Sequence, residues 1–567
     1  MIDVLLRKGR QVLDDPVLRR WLLERFFFRT PGEPDFVAHR PPYLGDGWSG
    51  LAPEEPRASF PELTAPPLRA PVEIPLPGET VRIEPGREAE AFDRPFADTE
   101  TLLALHRFAW VPLMGDAASP ALVAALWRAW AERFPVPSAD WPWHPYTAAE
   151  RAVNILSFAR RHGLPAGAAR LLAAHGPAIA ERLEYFGDHH SSNHLSNNGR
   201  GLYLLGLALG LPRCAELGAR ILTGEAARIF RPSGILREGS SHYHLLLTRN
   251  YAEAWLAART HHAPEEDALR AIAARALKVV PPLVLPGGMP LIGDISPDCP
   301  PAFLDGLHGG EGGWVSRLDA DSRAAFAVLR AECGDFDAGL LAADGWLRAD
   351  FGPWSGLWHA SPEGWSCMPG HGHQDCGGFE LHHEGEPVIV DPGRGAYGDE
   401  GEAALYRSSR VHSLLSLDGA DPYPPNRPYY DPSFRARIGG PSPALIREPD
   451  GVVLRHAGFV RMGRGAGAVT RRWRFHREGL SLNDAVEGTG THTVLRRLVT
   501  PLEVKAIPSG AVLRGAHRSY RLTTNRPVTL HPVTRWTAYG QGAPATAIEI
   551  EAPVRLPWTS SLALEAL

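Results

Sequence analysis

The sequence has few cysteines, no long apolar run and no surplus of basic residues. Its cysteines number 5 in 567 residues, which argues against a disulfide framework. No stretch is long and apolar enough for a transmembrane segment. The formal net charge is -5, whereas a nucleic-acid-binding protein normally carries a basic surplus, so nucleic acid is excluded as a partner. Histidine (24) and tryptophan (16) are plentiful, and these residues suit proton transfer and stacking on sugar rings.

The N-terminal segment MIDVLLRKGRQVLDDPVLRRWLLERFFF carries charges every few residues. It lacks the apolar run and the small-residue cleavage site of a signal peptide. The pattern predicts an amphipathic helix that docks on the protein, with binding to a membrane surface as the alternative. We therefore expect a cytoplasmic protein, and a periplasmic or membrane-peripheral location stays open.

Three segments with different patterns divide the chain. Residues 1–95 contain the first helix and a Pro-rich stretch of low periodicity, which predicts a wrap or a linker. Residues 96–340 repeat Ala and Leu at helical spacing with Gly or Pro at the joints, which predicts an array of helices without strands between them. Residues 341–567 hold short alternating runs separated by turn residues, which is typical of an antiparallel sandwich or barrel.

A first polar cluster, HHSSNHLSNNGRG, begins one of the predicted helices. His190 and His194 are four residues apart and share a helix face, with Asn193, Asn197 and Asn198 alongside. Such side chains are costly to bury unless they form hydrogen bonds. The cluster indicates the rim of a pocket for a polar ligand; a polar helix start capped by serine is the alternative.

A second cluster, REGSSHYHLLLTRNY, also begins a helix. It holds Arg237, Glu238, His242, Tyr243 and His244. Tyrosine and histidine together suit proton transfer, provided that nearby cations lower the tyrosine pKa. A tyrosine that is simply packed is the competing interpretation.

A loop between helices, PLIGDISPD, carries Asp294 and Asp298. These carboxylates either touch a substrate or cap a turn, and the pattern slightly favours the turn.

The most specific pattern is GHGHQDCGGFELHHEGEPVIVDPG followed by YRSSRVHSLLSLDG. In an extended HGH segment, His371 and His373 share one face. Asp391 follows an apolar strand and His412 opens another, so His373, Asp391 and His412 form a plausible zinc-binding set. Cys367 and Cys376 flank the same stretch and are the alternative ligands.

Taken in order, these motifs resemble the heparinase II/III-like polysaccharide lyases, a group that includes oligoalginate lyases. The resemblance rests on the NHxxN, EGSxxY and PxxGD segments and, most specifically, on the HGHQD, VIVDPG and YRSSRVHS segments. It implies an incomplete α/α toroid followed by an antiparallel β-sandwich. It also implies β-elimination of a uronic-acid glycoside, an anionic polysaccharide or oligosaccharide, in the cleft between the two.

By position, the resemblance assigns roles to individual residues. In such enzymes an Asn and a His neutralise the substrate carboxylate, while a Tyr with a His transfers protons. The implied catalytic residues are Asn193, His194, Tyr243 and His371. One structural zinc ion per chain is implied, held by His373, Asp391 and His412.

Four further residues beside the motifs are predicted to bind substrate: Asn197, Arg237, Glu238 and Arg407. An anionic glycan also requires local arginines on a protein of net charge -5, so Arg200 is expected at the cleft with Arg237 and Arg407. Several relatives have Glu where this chain has Asn197, which leaves the polymer open.

Two other functions stay open on the same scaffold, as does homo-oligomerisation. A glycoside hydrolase would use paired carboxylates such as Glu238 and Asp294. A glycan-binding or assembly protein without catalysis would need neither.

Overall fold

The computed structural model describes residues 9, 12–13, 15–27, 41–45, 48–58, 60–187, 192–368, 370–427 and 429–567. Within these ranges the first two thirds of the chain are mainly helical. The α-helices are α1 (Pro16–Phe26), α2 (Glu90–Asp93), α3 (Thr99–Arg107), α4 (Trp110–Met114), α5 (Pro120–Arg133), α6 (Pro145–His162), α7 (Ala168–Ala173), α8 (His175–Glu181), α9 (Asn193–Leu209), α10 (Pro212–Ile229), α11 (Ser241–Thr260), α12 (Glu266–Leu277), α13 (Val280–Leu283), α14 (Ala320–Glu332), α15 (Ala338–Ala343), α16 (Gly401–Arg407) and α17 (Pro432–Gly439). Short 3₁₀ helices lie at Pro42–Leu44, Gly115–Ala117, Trp141–Trp143, Pro301–His308, Val315–Arg317 and Gly458–Met462.

Helices α6, α9 and α11 form the interior of the array, because nearly every residue on them is buried. Glycines let α9 and α10 approach closely. A Cβ at Gly206 would lie 2.3 Å from the backbone nitrogen of Ala215, and one at Gly218 would lie 2.3 Å from that of Tyr203. The three inner helices begin at the same end of the array, so their first residues are brought together there.

Antiparallel strands make up most of the last part of the chain, and one further pair, β1 and β2, lies before the helical array. The strands are β1 (Val72–Leu76), β2 (Glu79–Ile83), β3 (Trp346–Phe351), β4 (Trp354–His359), β5 (Gly378–His383), β6 (Glu386–Ile389), β7 (Leu415–Leu417), β8 (Ala444–Glu448), β9 (Gly451–His456), β10 (Ala466–His476), β11 (Gly479–Gly488), β12 (Thr491–Thr500), β13 (Glu503–Ile507), β14 (Gly510–Arg514), β15 (Ser519–Thr524), β16 (Thr529–Ala538), β17 (Gln541–Arg555) and β18 (Trp558–Ala566).

Three sheets carry these later strands. Their orders are β13-β14-β15-β18-β11-β10-β9-β8, β16-β17-β12-β7 and β3-β4-β5-β6. One apolar core joins them, with Trp354 from β4, Trp473 from β10 and Ile548 from β17. Helices followed by packed antiparallel sheets confirm the predicted fold class.

A β-hairpin lies inside the segment that the sequence predicts as a wrap or linker. Strands β1 and β2 pair from Val72↔Ile83 to Leu76↔Glu79 around a turn at Gly78, whose φ is 76°. Buried and exposed residues alternate along both strands. The prolines around the hairpin obscured this alternation in the sequence.

The N-terminal helix docks on the sheet part of the protein. Val17, Leu18 and Trp21 are buried, and the Trp21 ring lies 4.4 Å from that of Tyr429. The side chains of Phe26 and Phe27 are exposed, and Phe28 lies outside the described residues. None of the helices seen in the described ranges combines the length and the apolar character of a membrane-crossing segment.

Candidate active site

Two helix starts place the first predicted catalytic residues. Asn193 is the first residue of α9, where Ser192 caps the helix by accepting from the backbone of His194 at 3.4 Å. Tyr243 lies in the first turn of α11, where Ser240 accepts from its backbone at 3.1 Å. Helix N-termini carry partial positive charge, so this end of the array favours an anionic ligand.

His371 reaches the same point from the loop between β4 and β5. Its ring stacks on that of Tyr243, with 3.5 Å between centroids and 12° between planes. The amide Nδ2 of Asn193 lies 3.2 Å from His371 Nε2. The structure therefore brings Asn193, Tyr243 and His371 into direct contact across the helical and sheet parts of the chain.

His194 lies next to this cluster and binds Glu184. Its Nδ1 donates to Glu184 Oε1 at 2.7 Å, and its ring lies 4.8 Å from that of Tyr146. Burial opposes the charged form of the ring, but the Glu184 carboxylate outweighs it and raises the pKa of His194. His190, its predicted neighbour on the helix, lies outside the described residues.

Glu238 and Asn197, which the sequence predicts to bind substrate, are buried and bind other residues of the protein. Glu238 is 0% exposed and accepts from the backbone nitrogen of Asn193 at 2.5 Å and from its Nδ2 at 2.8 Å. Asn197 lies one turn deeper along α9, where its Oδ1 accepts from Arg200 at 3.2 Å. Glu238 thus positions Asn193, and Asn197 belongs to the interior of the helical array.

Asp294 binds three partners, so the interpretation of a turn residue is wrong. It accepts from His371 Nδ1 at 3.0 Å, from His373 Nε2 at 2.9 Å and from Arg394 Nη1 at 3.0 Å. Burial opposes ionisation, but the bonds from the two histidines and the charge of Arg394 hold the pKa of Asp294 well below its usual range. Arg394 comes from the segment after Asp391 and was not singled out by its motif.

Sequence reasoning also missed Tyr397. Its hydroxyl oxygen lies 2.5 Å from that of Tyr243, and it donates to the carbonyl of Ile295 at 3.2 Å. Because that bond uses the Tyr397 proton, Tyr243 is the donor in the pair. Burial raises the pKa of both tyrosines, so both are protonated at rest. The segment GRGAYGDE around Tyr397 has no periodicity that would have predicted its position.

The two histidines that flank Tyr243 have structural roles. His242 Nδ1 accepts from the backbone of Ser296 at 3.0 Å, and burial lowers its pKa to about 3. His244 Nδ1 accepts from the backbone of Leu236 at 3.2 Å, and burial lowers its pKa to about 4. Both rings are therefore neutral, and Tyr243 is the residue of this motif that faces His371.

The predicted arginines are distributed differently from the expectation. Arg200 is buried between Glu150, at 2.6 Å, and Glu253, at 2.6 Å, so its placement at the cleft is wrong. Arg407 is partly buried near Asp294 and Arg394, 3.9 Å from the exposed Asp399. Arg237 lines a separate cavity beside the His371 loop.

The three predicted zinc ligands lie close together but are not arranged around one point. His412 Nδ1 lies 2.9 Å from Asp391 Oδ2, and the His373 and His412 rings are 5.1 Å apart. His412 Nε2 also lies 3.1 Å from the carbonyl of Tyr406. Among the described residues, no group of three or more His, Cys, Asp or Glu side chains is placed to hold a metal ion.

One observation nevertheless suits a metal ion at this point. The Nδ1 atom of His373 is buried and has no hydrogen-bond partner among the residues described. Imidazole and carboxylate are ligands that zinc accepts, so the donor set fits in its chemistry. Of the alternative ligands, Cys376 belongs to the apolar core and Cys367 lies beside Arg231, 3.8 Å from its Nη2.

Comparison with known proteins supports the fold. Residues 336–555 match the family model described as Heparinase II/III-like, C-terminal. A search of curated protein sequences finds no match. A solved heparinase III is 17% identical with a TM-score of 0.62, covering 84% of this chain and 78% of that chain. A second heparinase III is 15% identical with a TM-score of 0.57, covering 84% and 80%.

A third solved structure has a comparable sequence identity and a lower TM-score. The heparan sulfate lyase HepC from Pedobacter heparinus is 16% identical with a TM-score of 0.51, covering 83% of this chain and 77% of that chain. At such identity the solved structures establish the fold alone. They confirm the toroid followed by a β-sandwich, and the family model confirms the resemblance over its matched residues.

Proposed function

We propose that this protein is a polysaccharide lyase that cleaves a uronic-acid-containing glycan by β-elimination. The observation that carries the proposal is the contact of Asn193, Tyr243 and His371, two of them at helix starts and one from the sheet part. Elimination requires a group that neutralises the uronate carboxylate and groups that move two protons. The cluster supplies both in one place, and heparinase-like relatives share the fold that assembles it.

Asn193 and His194 are assigned to the carboxylate. Glu184 favours the charged form of His194, whose pKa it raises, and Glu238 holds the Asn193 amide in place. A cation and an amide N–H directed at a carboxylate stabilise the enolate-like intermediate, which makes the C5 proton easier to remove.

Tyr243 and His371 are assigned to the two proton transfers. Asp294 is ionised and accepts from His371 Nδ1, which leaves the lone pair of His371 on Nε2. Tyr243 keeps its proton because burial raises its pKa. These resting states suit His371 as the acceptor of the C5 proton and Tyr243 as the donor to the leaving oxygen, with Tyr397 beside it.

The test is a screen of uronate polymers with the whole protein, followed by Tyr243→Phe. Elimination leaves an unsaturated uronate that absorbs in the ultraviolet. We expect Tyr243→Phe to lower kcat by about 100-fold or more, the usual contribution of a positioned acid or base, with little change in KM. Tyr203→Phe is the matched control. Tyr203 lies on α9 away from the cluster, and its hydroxyl donates to Glu265 at 3.2 Å.

Other outcomes would identify the alternatives. New reducing ends without ultraviolet absorbance would indicate a hydrolase, and binding without any product would indicate a glycan-binding protein. The described carboxylates offer little to a hydrolase, because Glu238 binds Asn193 and Asp294 binds two histidines and an arginine.

We also propose that His373, Asp391 and His412 hold one zinc ion with a structural role. The unpartnered Nδ1 of His373 supports this, together with the nearness of the other two side chains. Bound zinc would join the HGH loop to the strand ends that carry Asp391 and His412, and no catalytic step passes through it.

Metal analysis of the purified protein tests this second proposal. We expect about one zinc per chain, the stoichiometry of a single tetrahedral site. His412→Ala should lower metal content and Tm together, because the free energy of metal binding adds to that of folding. Exposed His531→Ala is the control, and full zinc loading in His412→Ala would contradict the ligand set.

A further inference from the structure

A cavity apart from the proposed active site lies where the helical part, the segment between β4 and β5 and α17 meet. Its volume is about 430 Å³. Its charged lining residues are Arg228, Arg231, Arg237, Arg435 and Glu363. Arg228 is paired with the buried Glu225 at 3.3 Å, so the other three guanidinium groups face Glu363, in a protein whose net charge is -5.

Glu363 alone does not neutralise the remaining three arginines. Glu363 is about half exposed and lies 3.6 Å from Arg231, which leaves the other side of the cavity to Arg237 and Arg435. The thiol of Cys367, another lining residue, lies 3.8 Å from Arg231 and accepts a hydrogen bond from Arg237. A thiol is a weak acceptor, so it compensates little of this positive charge.

Arg435 carries another charge of this lining and is itself partly buried. Its Nε is buried and has no hydrogen-bond partner among the described residues. Burial lowers the pKa of Arg435, and the neighbouring Arg237 lowers it further. Guanidinium groups placed together at such a cost are typical of sites that bind carboxylate, sulfate or phosphate.

The cavity borders the loop that carries His371. Arg237 immediately precedes Glu238, which holds Asn193. A very small neighbouring pocket shares Arg237 and Cys367 with the cavity and is also lined by Gly372 and His373 of that loop. A ligand in the cavity would therefore lie next to the proposed active site and would not touch its proton-transfer residues.

We propose that this cavity binds an oxyanion group, a sulfate or carboxylate, of the acidic polysaccharide at a sugar residue away from the bond that is cleaved. The inference rests on the proposed lyase function for the source of the anion, but the anion site itself follows from the arginines. Inorganic sulfate or phosphate has the same chemistry and is the other source that the experiment must distinguish.

The first measurement is the affinity of the whole protein for sodium sulfate, at low ionic strength and against sodium chloride of equal ionic strength. We expect Arg435→Gln to weaken sulfate binding by about tenfold, the loss of one charge-assisted hydrogen bond. Arg437→Gln is the matched control, because it removes the same charge from the same helix but pairs with Glu24 at the surface. Equal affinity in these two variants would overturn the proposal.

Glu363→Gln tests the site in the opposite direction. Removal of Glu363, the one carboxylate that the described residues contribute to the lining, should tighten sulfate binding by about threefold, a change typical of an exposed charge pair. Glu363 is exposed, so this variant should fold even if Arg435→Gln does not. Unchanged or weaker binding in Glu363→Gln would contradict an electrostatic anion site.

Kinetics on the polymer that the protein cleaves identify the source of the anion. A higher KM for Arg435→Gln with unchanged kcat supports a substrate subsite, whereas unchanged KM together with weaker sulfate binding assigns the cavity to a free anion and overturns the glycan assignment. If the wild-type protein cleaves no uronate polymer, the proposed function fails, and the sulfate titrations still decide whether the anion site exists.

Discussion

At the scale of single residues, Asp294 binds both histidines of the HGH loop, His371 and His373, and joins them to Arg394. One buried carboxylate accepts from His371, His373 and Arg394 at once. The bond to His371 Nδ1 determines which ring nitrogen keeps a lone pair, as in other His–Asp pairs where the carboxylate selects the tautomer. Asp294 is therefore a positioning residue, and its charge matters more than its size.

Asp294→Asn keeps the size of the side chain and removes the charge. We expect kcat to fall by about 100-fold or more, because His371 loses the partner that orients its ring. The buried Arg394 loses its counter-charge, so the free energy of unfolding should fall by roughly 3 kcal/mol or more. Thermal unfolding and steady-state kinetics measure the two effects. Exposed Asp305→Asn is the control, and a kcat close to that of the wild type would exclude the positioning role.

Glu184 raises the pKa of His194, and we expect this to set the alkaline limit of the proposed activity. Because Glu184 raises the pKa of His194, the charged ring persists above the usual histidine range and is lost as pH rises through the raised value. Glu184→Gln removes this effect, and the alkaline limb of kcat/KM should move to lower pH. Exposed Glu181→Gln on α8 should leave the pH profile unchanged. A Glu184→Gln profile that matches the wild type would show that His194 does not act as a cation.

At the scale of elements, three segments that carry the site are joined by backbone hydrogen bonds. The nitrogen of His371 donates to Glu238 O at 2.9 Å, and that of Asp294 donates to His371 O at 2.8 Å. The start of α11 is bound in the same way, since Ser241 N donates to Ile292 O at 3.0 Å. The loops thus position one another, and the placement of His371 depends on close contact between main chains.

Gly293 allows this contact, and its replacement tests it. Its φ is 81°, and a Cβ there would lie 2.5 Å from Gly239 O and 2.8 Å from His371 O. Gly293→Ala should lower the free energy of unfolding by roughly 1–3 kcal/mol through backbone strain, and activity should fall further because the loops must separate. Gly288→Ala is the control, with φ of 121° and no atom within 4 Å of the new methyl group. Equal activity in both variants would show that loop contact is not required.

The sequence could predict elements wherever a single period dominates. The Ala and Leu spacing of α6, α9 and α11 predicts helices, and the alternation of β10 to β12 predicts strands, because burial on one face imposes those periods. The sequence did not predict the β1–β2 hairpin, because its strands are short and lie among prolines.

At the scale of the whole molecule, the sequence could identify the residues at the site but not how they pair. Asn193, Tyr243 and His371 stand in recognisable motifs, whereas Tyr397 and Arg394 stand in an aperiodic glycine-rich loop. The partners of Asp294 and Arg200 depend on contacts between segments about 50 to 100 residues apart. No local pattern encodes such contacts. The sequence therefore does not distinguish Arg200, which is buried in an ion-pair network, from Arg237, which lines a cavity.

The junction between the two halves of the molecule has a consequence for how a polymer is handled. His371 and Tyr397 come from the sheet part, while Tyr243 and Asn193 come from the helices. Widening the cleft to admit or release a chain would pull these partners apart. In the proposed lyase, this structure would therefore be the state that carries out the chemistry, and a polymer would have to enter and leave in another.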